Sequence, residues 1–267
     1  MDRALLTTGS EFVDFGYELD LDLAVHLIKK SGAARVGLQA PEGLKRATPI
    51  VAARIAEETE AEVIISGDPC FGACDVDTRL LGEVDLMLHL GHAGIGEEPE
   101  KVIFLEARMN EDLRGVVEKA IGELKSKRVG VATTVQHVHK LDGALEVLAE
   151  HGIEGLLGPA SGRIKYPGQV LGCCYASARA LDVDEYLFIG TGQFHPLGIA
   201  LATGKRVLAA DPVTCEISEI DPDPMLRRRF AAITRAADVK SFAVLVSKKS
   251  GQKRMELARR MMALGEA

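Results

Sequence analysis

Two cysteines recur at the same place in a repeated sequence pattern, and their thiolates are the first candidates for chemistry. Cys74 lies in the loop DPCFGACDVD, and Cys173 lies in the loop QVLGCCYASA. In both copies an aspartate follows eleven residues later and opens an apolar strand that ends in glycine and histidine. Repetition at a fixed period marks homologous structural units. We therefore expect Cys74 and Cys173 to face one common site.

The spacing of the thiols indicates which metal they would bind. Burial as small hydrophobic residues is the alternative for any free cysteine, but the shared register favours ligation. A structural zinc site uses local CxxC pairs, and Asp77 stands where a cluster loop beginning Cys70-x-x-x-Cys74 would need its third cysteine. One thiol from each unit fits an iron–sulfur cluster held between units. Cys70, Cys174 and Cys215 break the register and are expected to be neighbours or core residues.

The elements that must position these loops follow an α/β alternation. Apolar runs separated by helical periodicity predict βαβ units with parallel sheets. The predicted strands are 35–40, 62–67, 85–91, 101–107, 128–134, 154–158, 185–190, 206–211 and 241–247. The predicted helices are 21–31, 44–59, 111–125, 138–151, 176–181, 195–203, 223–238 and 253–264. The stretch EFVDFGYELD near the N-terminus gives no clear prediction.

The repeat divides the chain into three homologous α/β units around a central cluster site. The first is predicted over 1–108 with Cys74, the second over 109–213 with Cys173, and a partial third over 214–267 without a cysteine half. The first two units place their cysteine 39 and 45 residues after the opening strand begins. The same offset from the strand at 241 gives a position of roughly 280–286. We expect truncation of a longer protein, with a naturally short member as the alternative.

Polar and glycine-rich loops follow five of the predicted strands. In open α/β sheets ligands bind outside the carboxyl ends of the strands, where helix N-termini also offer free N–H groups. These loops are Pro41–Gly43, His89–His92, Thr133–His137, Gly190–His195 and Lys248–Gln252. Together they predict one central polar site, and His92 and His195 are candidates for substrate contact.

Composition narrows the class of protein. The formal net charge of −7 argues against direct nucleic-acid binding, which usually shows as a basic domain. The sequence has no apolar run long enough to span a membrane and no signal-peptide pattern, so we expect a cytoplasmic protein. Five cysteines in 267 residues do not form a secreted disulfide scaffold.

The combination of motifs resembles the archaeal 2-(3-amino-3-carboxypropyl)histidine synthases of diphthamide biosynthesis. The segments that carry the resemblance are PEGLK, DPCFGACDVD, LHLGH, VLGCCYAS, GTGQFHPLGIALATGK, ADPVTCEI and VSKKSGQKR. The resemblance implies a homodimeric transferase with three homologous domains, each giving one cysteine to a [4Fe–4S] cluster. Two of those cysteines match Cys74 and Cys173. The third belongs to a Cys-Pro-Arg segment that the 267 residues do not contain.

The resemblance also implies a mechanism. S-adenosylmethionine is the cosubstrate, and an electron from the cluster releases a 3-amino-3-carboxypropyl radical that adds to C2 of a histidine imidazole on translation elongation factor 2. The cofactor supplies the chemistry, and the protein orients the reactants. The residues that we expect to hold the cosubstrate are Gln39, Gly190, Thr191, Gly192, Gln193, His195, Lys248, Gly251 and Gln252.

Two other functions remain open at this point. A dehydratase similar to quinolinate synthase would use three α/β units and an open iron as a Lewis acid. The GQFHPLGIA and KKSGQ segments favour the diphthamide enzyme over it. A cluster-free partner subunit is the second alternative, because the third cysteine is missing.

Overall fold

The computed structural model describes residues 11–13, 16–96, 99–249 and 252–265, which form an α/β protein. The strands in these ranges are β1 (Glu11–Val13), β2 (Tyr17–Leu19), β3 (Arg35–Gln39), β4 (Glu62–Ile65), β5 (Leu86–Leu90), β6 (Val102–Leu105), β7 (Arg108–Met109), β8 (Arg128–Thr133), β9 (Glu154–Leu157), β10 (Glu185–Ile189), β11 (Arg206–Asp211) and β12 (Glu216–Glu219). The helices are α1 (Leu21–Ser31), α2 (Thr48–Thr59), α3 (Thr78–Glu83), α4 (Arg114–Ile121), α5 (Leu141–Glu150), α6 (Ala176–Arg179), α7 (Phe194–Thr203), α8 (Asp223–Ala237) and α9 (Met255–Gly265). Short 3-10 turns at Glu42–Ala47 and Val138–Lys140 precede α2 and α5.

The first sheet is parallel throughout and has the order β4-β3-β5-β6. Leu38 on β3 pairs with Ile65 on one side and Leu88 on the other. Helices α1 and α2 cover one face, where their apolar stripes pack on buried strand residues. Helix α1 begins where the Asp20 carboxylate accepts the Leu23 N–H, as expected for an N-cap residue. All the βα loops of this sheet therefore leave from one edge.

The second sheet has the order β12-β11-β10-β8-β9. Its first four strands in sequence are parallel, and β12 pairs antiparallel with β11 through a tight turn. Strands β8 and β10 are buried along almost their whole length, so both faces of the sheet are covered. Helices α4 and α5 pack on one face and α7 packs near the other. The loop that carries Cys173 lies between β9 and α6.

A small antiparallel sheet, β1-β2-β7, joins the two larger ones. Strand β7 follows the last strand of the first sheet, and the Met109 N–H donates to the Gln136 carbonyl of the second unit at 3.0 Å. The ambiguous N-terminal stretch supplies β1 and β2. Three-residue strands carry too little periodicity to be predicted from sequence.

Residues 220–265 correct the prediction for the start of the third unit. Helices α8 and α9 form as expected, but residues 241–247 are not a strand in the described chain. A strand requires a hydrogen-bonded neighbour, and no described segment pairs with these residues. Their apolar side chains are instead largely exposed, with Leu245 at 93%. The apolar pattern therefore indicated a segment with the composition of a strand, but it could not show whether a neighbouring strand is present.

The first two units match the predicted pattern closely. All eight strands predicted between residues 35 and 211 are present, with ends shifted by up to two residues. The predicted helix 44–59 is divided, because Pro49 at the start of α2 is preceded by a 3-10 turn. Helix α3 and strands β7 and β12 were not predicted. None of the described helices is both long and apolar enough to cross a membrane.

Candidate functional site

The Cys74 loop is anchored at its base by Gln39, the last residue of β3. The Gln39 side-chain N–H donates to the Asp75 carbonyl at 2.8 Å, and its carbonyl oxygen accepts the Asp77 N–H at 3.1 Å. Gln39 itself is 1% exposed. We expected Gln39 among the residues that hold the cosubstrate. Both ends of its amide are instead used by the backbone on either side of Val76, so Gln39 positions the loop.

The segment after residue 247 lies against the same loop. Lys249 Nζ is 2.6 Å from Asp75 Oδ2, and the Gln252 side-chain nitrogen is 3.4 Å from the Cys74 sulfur. Asp75 is buried, and the same carboxylate oxygen accepts the Phe71 N–H. The contact of Gln252 with Cys74 joins two groups that are 178 residues apart in the sequence. Lys249 and Asp75 were not predicted as site residues.

Two residues predicted in that segment are placed differently. Lys248 is exposed, and Gly251 lies outside the described residues. The neighbouring Lys249 makes the contact with the first unit. The sequence does not indicate which of two adjacent lysines, Lys248 or Lys249, will contact the Cys74 loop.

The Cys173 loop projects from the second unit. Cys173 is exposed, and the Arg163 guanidinium is 3.5 Å from its sulfur. Gly172 packs against the Phe194 ring, and a Cβ there would lie 2.4 Å from that ring, so the exposed ring would have to move. Phe194 is the first residue of α7, so this contact ties the Cys173 loop to the Gly190–His195 loop.

Two histidines from equivalent places in the two units lie close enough for the charge of one to act on the other. Burial lowers the pKa of His92 to about 4, and the Asp75 carboxylate raises it while His195 lowers it. Burial also lowers the pKa of His195, whose ring stacks on Phe188 with centroids 6.1 Å apart. Both imidazoles are therefore neutral at pH 7. The structure thus brings together the two histidines that the sequence singled out.

The Gly190–Gln193 loop opens onto a cavity of about 630 Å³ beside β11 and β12. Gly190 is buried with φ 153°, and Gly192 has φ 75°, both in the range that favours glycine. Thr191 and Gln193 are exposed. The charged residues that line the cavity have both signs and are Lys119, Glu123, Arg206, Asp211, Glu216 and Glu219.

Glu106 links the two units through its contacts with Lys165 and Tyr166. Its side chain lies directly after β6 and accepts Lys165 Nζ and the Tyr166 hydroxyl, each at 2.7 Å. Burial raises the pKa of Glu106, but the hydrogen bonds from Lys165 and Tyr166 outweigh it and lower the pKa. The Gln136 side-chain nitrogen also donates to the Gly91 carbonyl at 3.2 Å. Sequence reasoning missed Glu106, although its place at a strand end is the signal that marked the other loops.

The two thiols in register suit ligation of an iron–sulfur cluster. Cys74 is half-buried, Cys173 is exposed, and neither is in a disulfide. Each sulfur has an N–H donor within reach, from Gln252 and Arg163, and such donors stabilise a thiolate and tune a cluster. Cys70 differs, because it is 2% exposed and its sulfur lies 3.7 Å from His89 Nε2.

Comparison with known proteins places the chain in a family. The family model described as "Putative diphthamide synthesis protein" matches residues 40–267, and the chain belongs to this family. The 2-(3-amino-3-carboxypropyl)histidine synthase of Pyrococcus horikoshii is 42% identical over 243 residues, covering 89% of this chain and 70% of the relative. The subunit 1 enzyme of the same name from Schizosaccharomyces pombe is 28% identical over 243 residues, covering 86% of this chain and 56% of the relative.

A solved structure supports the same assignment. The crystal structure of Dph2 from Pyrococcus horikoshii with a 4Fe-4S cluster is similar with a TM-score of 0.87 and 40% sequence identity. The match covers 93% of this chain and 75% of that one. The family inferred from the motifs is thereby confirmed, and the relatives are named as transferases of the aminocarboxypropyl group. The chain spans between about half and three quarters of the length of these proteins.

Proposed function

We propose that this protein transfers the 3-amino-3-carboxypropyl group of S-adenosylmethionine to C2 of a histidine imidazole on translation elongation factor 2. This is the first step of diphthamide biosynthesis. The observation that carries the proposal is the pair of free thiols, Cys74 and Cys173, in loops of the two α/β units that the sequence repeat predicts to be equivalent. Its support from outside the chain is the similar fold of a relative solved with a 4Fe-4S cluster.

Cys74 and Cys173 would hold the cluster. When bound and reduced, a [4Fe–4S] cluster supplies the electron that cleaves the bond between the sulfonium sulfur and the γ-carbon of S-adenosylmethionine, releasing a 3-amino-3-carboxypropyl radical. Gln252 and Arg163 donate to the two sulfurs, and Gln39 fixes the loop of the first. These contacts orient the ligands before any metal arrives.

The Gly190–Gln193 loop is the proposed site for the amino-acid part of the cosubstrate. This part carries a carboxylate and an ammonium group, and the cavity is lined by groups of both signs. Helix α7 starts at Phe194 with no side-chain cap, so its first N–H groups are free to bind a carboxylate. Glycines at 190 and 192 let the ligand approach the backbone closely.

His92 and His195 are proposed to face the protein substrate. Addition of the radical to C2 would be followed by loss of one electron, which the oxidised cluster would take back, and of one proton, which the neutral imidazole of His195 would accept. The depressed pKa values of His92 and His195 keep both rings in the neutral form across the physiological range. His195 lies beside the Gly190–Gln193 loop and is the better placed of the two.

We also propose the assembly that the family resemblance implies, a cytoplasmic homodimer of three-unit chains. Residues 214–267 would belong to the third unit. The contact of Gln252 with Cys74 supports this, because it brings that segment to the place where loops of the first unit end.

Transfer of label from S-adenosylmethionine tests the function. Anaerobically reconstituted protein, a reductant and unmodified elongation factor 2 are incubated with cosubstrate labelled either in the aminocarboxypropyl carbon chain or in the methyl group. The proposal expects label on the elongation factor from the first and none from the second. Cys215→Ala, which removes an exposed thiol outside the register, should keep this activity. Methyl transfer, or no transfer by protein with a full cluster, would refute the proposal.

A further inference from the structure

A second group of metal-binding side chains lies beneath the Cys74 loop. Cys70, His89 and His92 each offer one ligand atom, and these three atoms lie within 4.8 Å of one another. Cys70 and His89 are almost fully buried, and His92 is half-buried at the loop surface. We propose that these three residues form a binding site for a single divalent ion of the zinc class, separate from the cluster ligands.

The distances suit tetrahedral coordination after a small adjustment. Zinc bonds of about 2.3 Å to sulfur and about 2.0 Å to nitrogen give ligand separations of roughly 3.5 Å for S···N and roughly 3.3 Å for N···N. The observed separations are 3.7 Å from Cys70 to His89 and 2.9 Å from His89 to His92. The rings need to part by only a few tenths of an ångström. His92 follows Gly91 in a loop, so it can make that movement.

The three ligand atoms cannot all satisfy one another by hydrogen bonds, whereas one cation could bind all three. His89 Nε2 is in reach of both other atoms, but it can take part in only one good hydrogen bond along its ring plane. The Cys70 sulfur is at the long limit for such a bond. One bound cation would use the lone pairs of all three atoms together.

The surrounding charges favour a cation. Burial lowers the pKa of His89 to about 3, so its imidazole is neutral and its lone pair is available at pH 7. A thiolate and two neutral imidazoles around a divalent ion leave one positive charge. The buried Asp75 carboxylate, whose charge acts on both Cys70 and His92, offsets part of this charge, although Lys249 already pairs with the same carboxylate. Binding releases the proton of the Cys70 thiol to solvent.

The ion would tie the Cys74 loop to the first sheet. His89 is on β5, and Cys70 lies four residues before Cys74 in the loop. Three protein ligands with a fourth open position are typical of zinc sites that also bind water or another ligand.

Cobalt binding tests this site independently of the cluster. The background is a Cys74→Ala/Cys173→Ala double variant, stripped of metal, to which Co²⁺ is added anaerobically. We expect one Co²⁺ per chain, with thiolate-to-cobalt charge-transfer absorption and displacement by one equivalent of Zn²⁺. Adding Cys70→Ala should abolish the charge-transfer band, and adding His92→Asn should weaken Co²⁺ binding at least about tenfold. Adding Cys215→Ala is the matched control and should change nothing.

Two outcomes would overturn the proposal. The first is a background protein that shows no charge-transfer band and no rise in melting temperature with Zn²⁺. The second is a band that persists after Cys70→Ala, which would assign the cobalt to a surface thiol. Circular dichroism establishes that each variant is folded. The effect of Zn²⁺ on the melting temperature is measured in the background protein, in which Cys70, His89 and His92 are all intact. Loss of the transfer activity leaves this result unaffected, so the two proposals fail separately.

Discussion

Replacing Gln39 with methionine isolates the contribution of its two buried hydrogen bonds. Methionine keeps the volume and flexibility of the side chain, so it creates little cavity and removes only the amide. The Asp75 carbonyl and the Asp77 N–H then lose their partner at 2.8 Å and 3.1 Å. Both belong to the loop that carries Cys74.

The magnitude follows from the cost of burying an unpaired backbone group. Each such group costs roughly 1–3 kcal/mol when its partner is removed. Asp75 is 5% exposed, whereas the bond to Asp77 is only part-buried and water can replace it in part. We therefore expect Gln39→Met to lower the free energy of unfolding by about 2–4 kcal/mol.

Urea unfolding followed by circular dichroism measures this loss, with Gln136→Met as the matched control. Gln136 is half-buried and makes one hydrogen bond, to the Gly91 carbonyl at 3.2 Å, so its replacement should cost about 1 kcal/mol. Iron content after reconstitution is the second readout, and it should fall for Gln39→Met because the Cys74 loop is no longer held.

The reasoning fails if Gln39→Met unfolds within about 0.5 kcal/mol of the parent and loads iron equally well. A variant of normal stability and normal iron content, but with a raised KM for S-adenosylmethionine, would show that Gln39 contacts the cosubstrate directly. That result would restore the interpretation drawn from the sequence alone.

Three further predictions concern the elements around the site. Lys249→Ala removes the ion pair to the Cys74 loop and should increase amide hydrogen exchange over 246–252, seen by mass spectrometry; unchanged exchange would refute the tether. Gly198→Ala places a Cβ 1.9 Å from the Tyr175 hydroxyl and should lower the free energy of unfolding by about 1–3 kcal/mol, measured by thermal unfolding. Gly143→Ala meets open space in a helix and should raise the free energy of unfolding by about 0.5–1 kcal/mol. Equal effects of the two substitutions would contradict the packing described. Burial lowers the pKa of His137 to about 4, so the unfolded state binds one more proton than the folded state between about pH 6.5 and about pH 4. The free energy of unfolding should therefore fall by about 1.4 kcal/mol for each pH unit of acidification in this range. Urea titrations at each pH measure this slope, and His137→Leu should remove the contribution of His137 to it.

The sequence predicted most of the fold because the parallel strands are continuous apolar runs. RVGLQ and EYLFI are recognisable without any partner, since burial on both faces leaves an apolar centre with polar residues mainly at the strand ends. The strand expected at 241–247 has the same composition but lacks a neighbour in the described chain. Periodicity reports the tendency of a segment to pair, whereas pairing depends on residues far away in the sequence.

The site was predictable in its loops and less so in its contacts. The repeat singled out Cys74 and Cys173 as candidate ligands, and the strand ends singled out His92 and His195 as candidates for substrate contact. The role of Gln39 could not be read from the sequence, because a polar residue at a strand end serves either a ligand or a neighbouring loop. Contacts across large separations, such as Lys249 with Asp75, have no signal in local spacing.

Cluster loading in cysteine variants tests the central claim most directly. The protein, Cys74→Ala, Cys173→Ala and Cys215→Ala are reconstituted anaerobically with iron and sulfide, reduced, and studied by electron paramagnetic resonance with iron analysis. The account predicts a [4Fe–4S] signal with about four irons per chain in the parent and in Cys215→Ala, and its loss in each of the other two. A cluster retained in full by Cys74→Ala or by Cys173→Ala would contradict the claim that these two loops hold it.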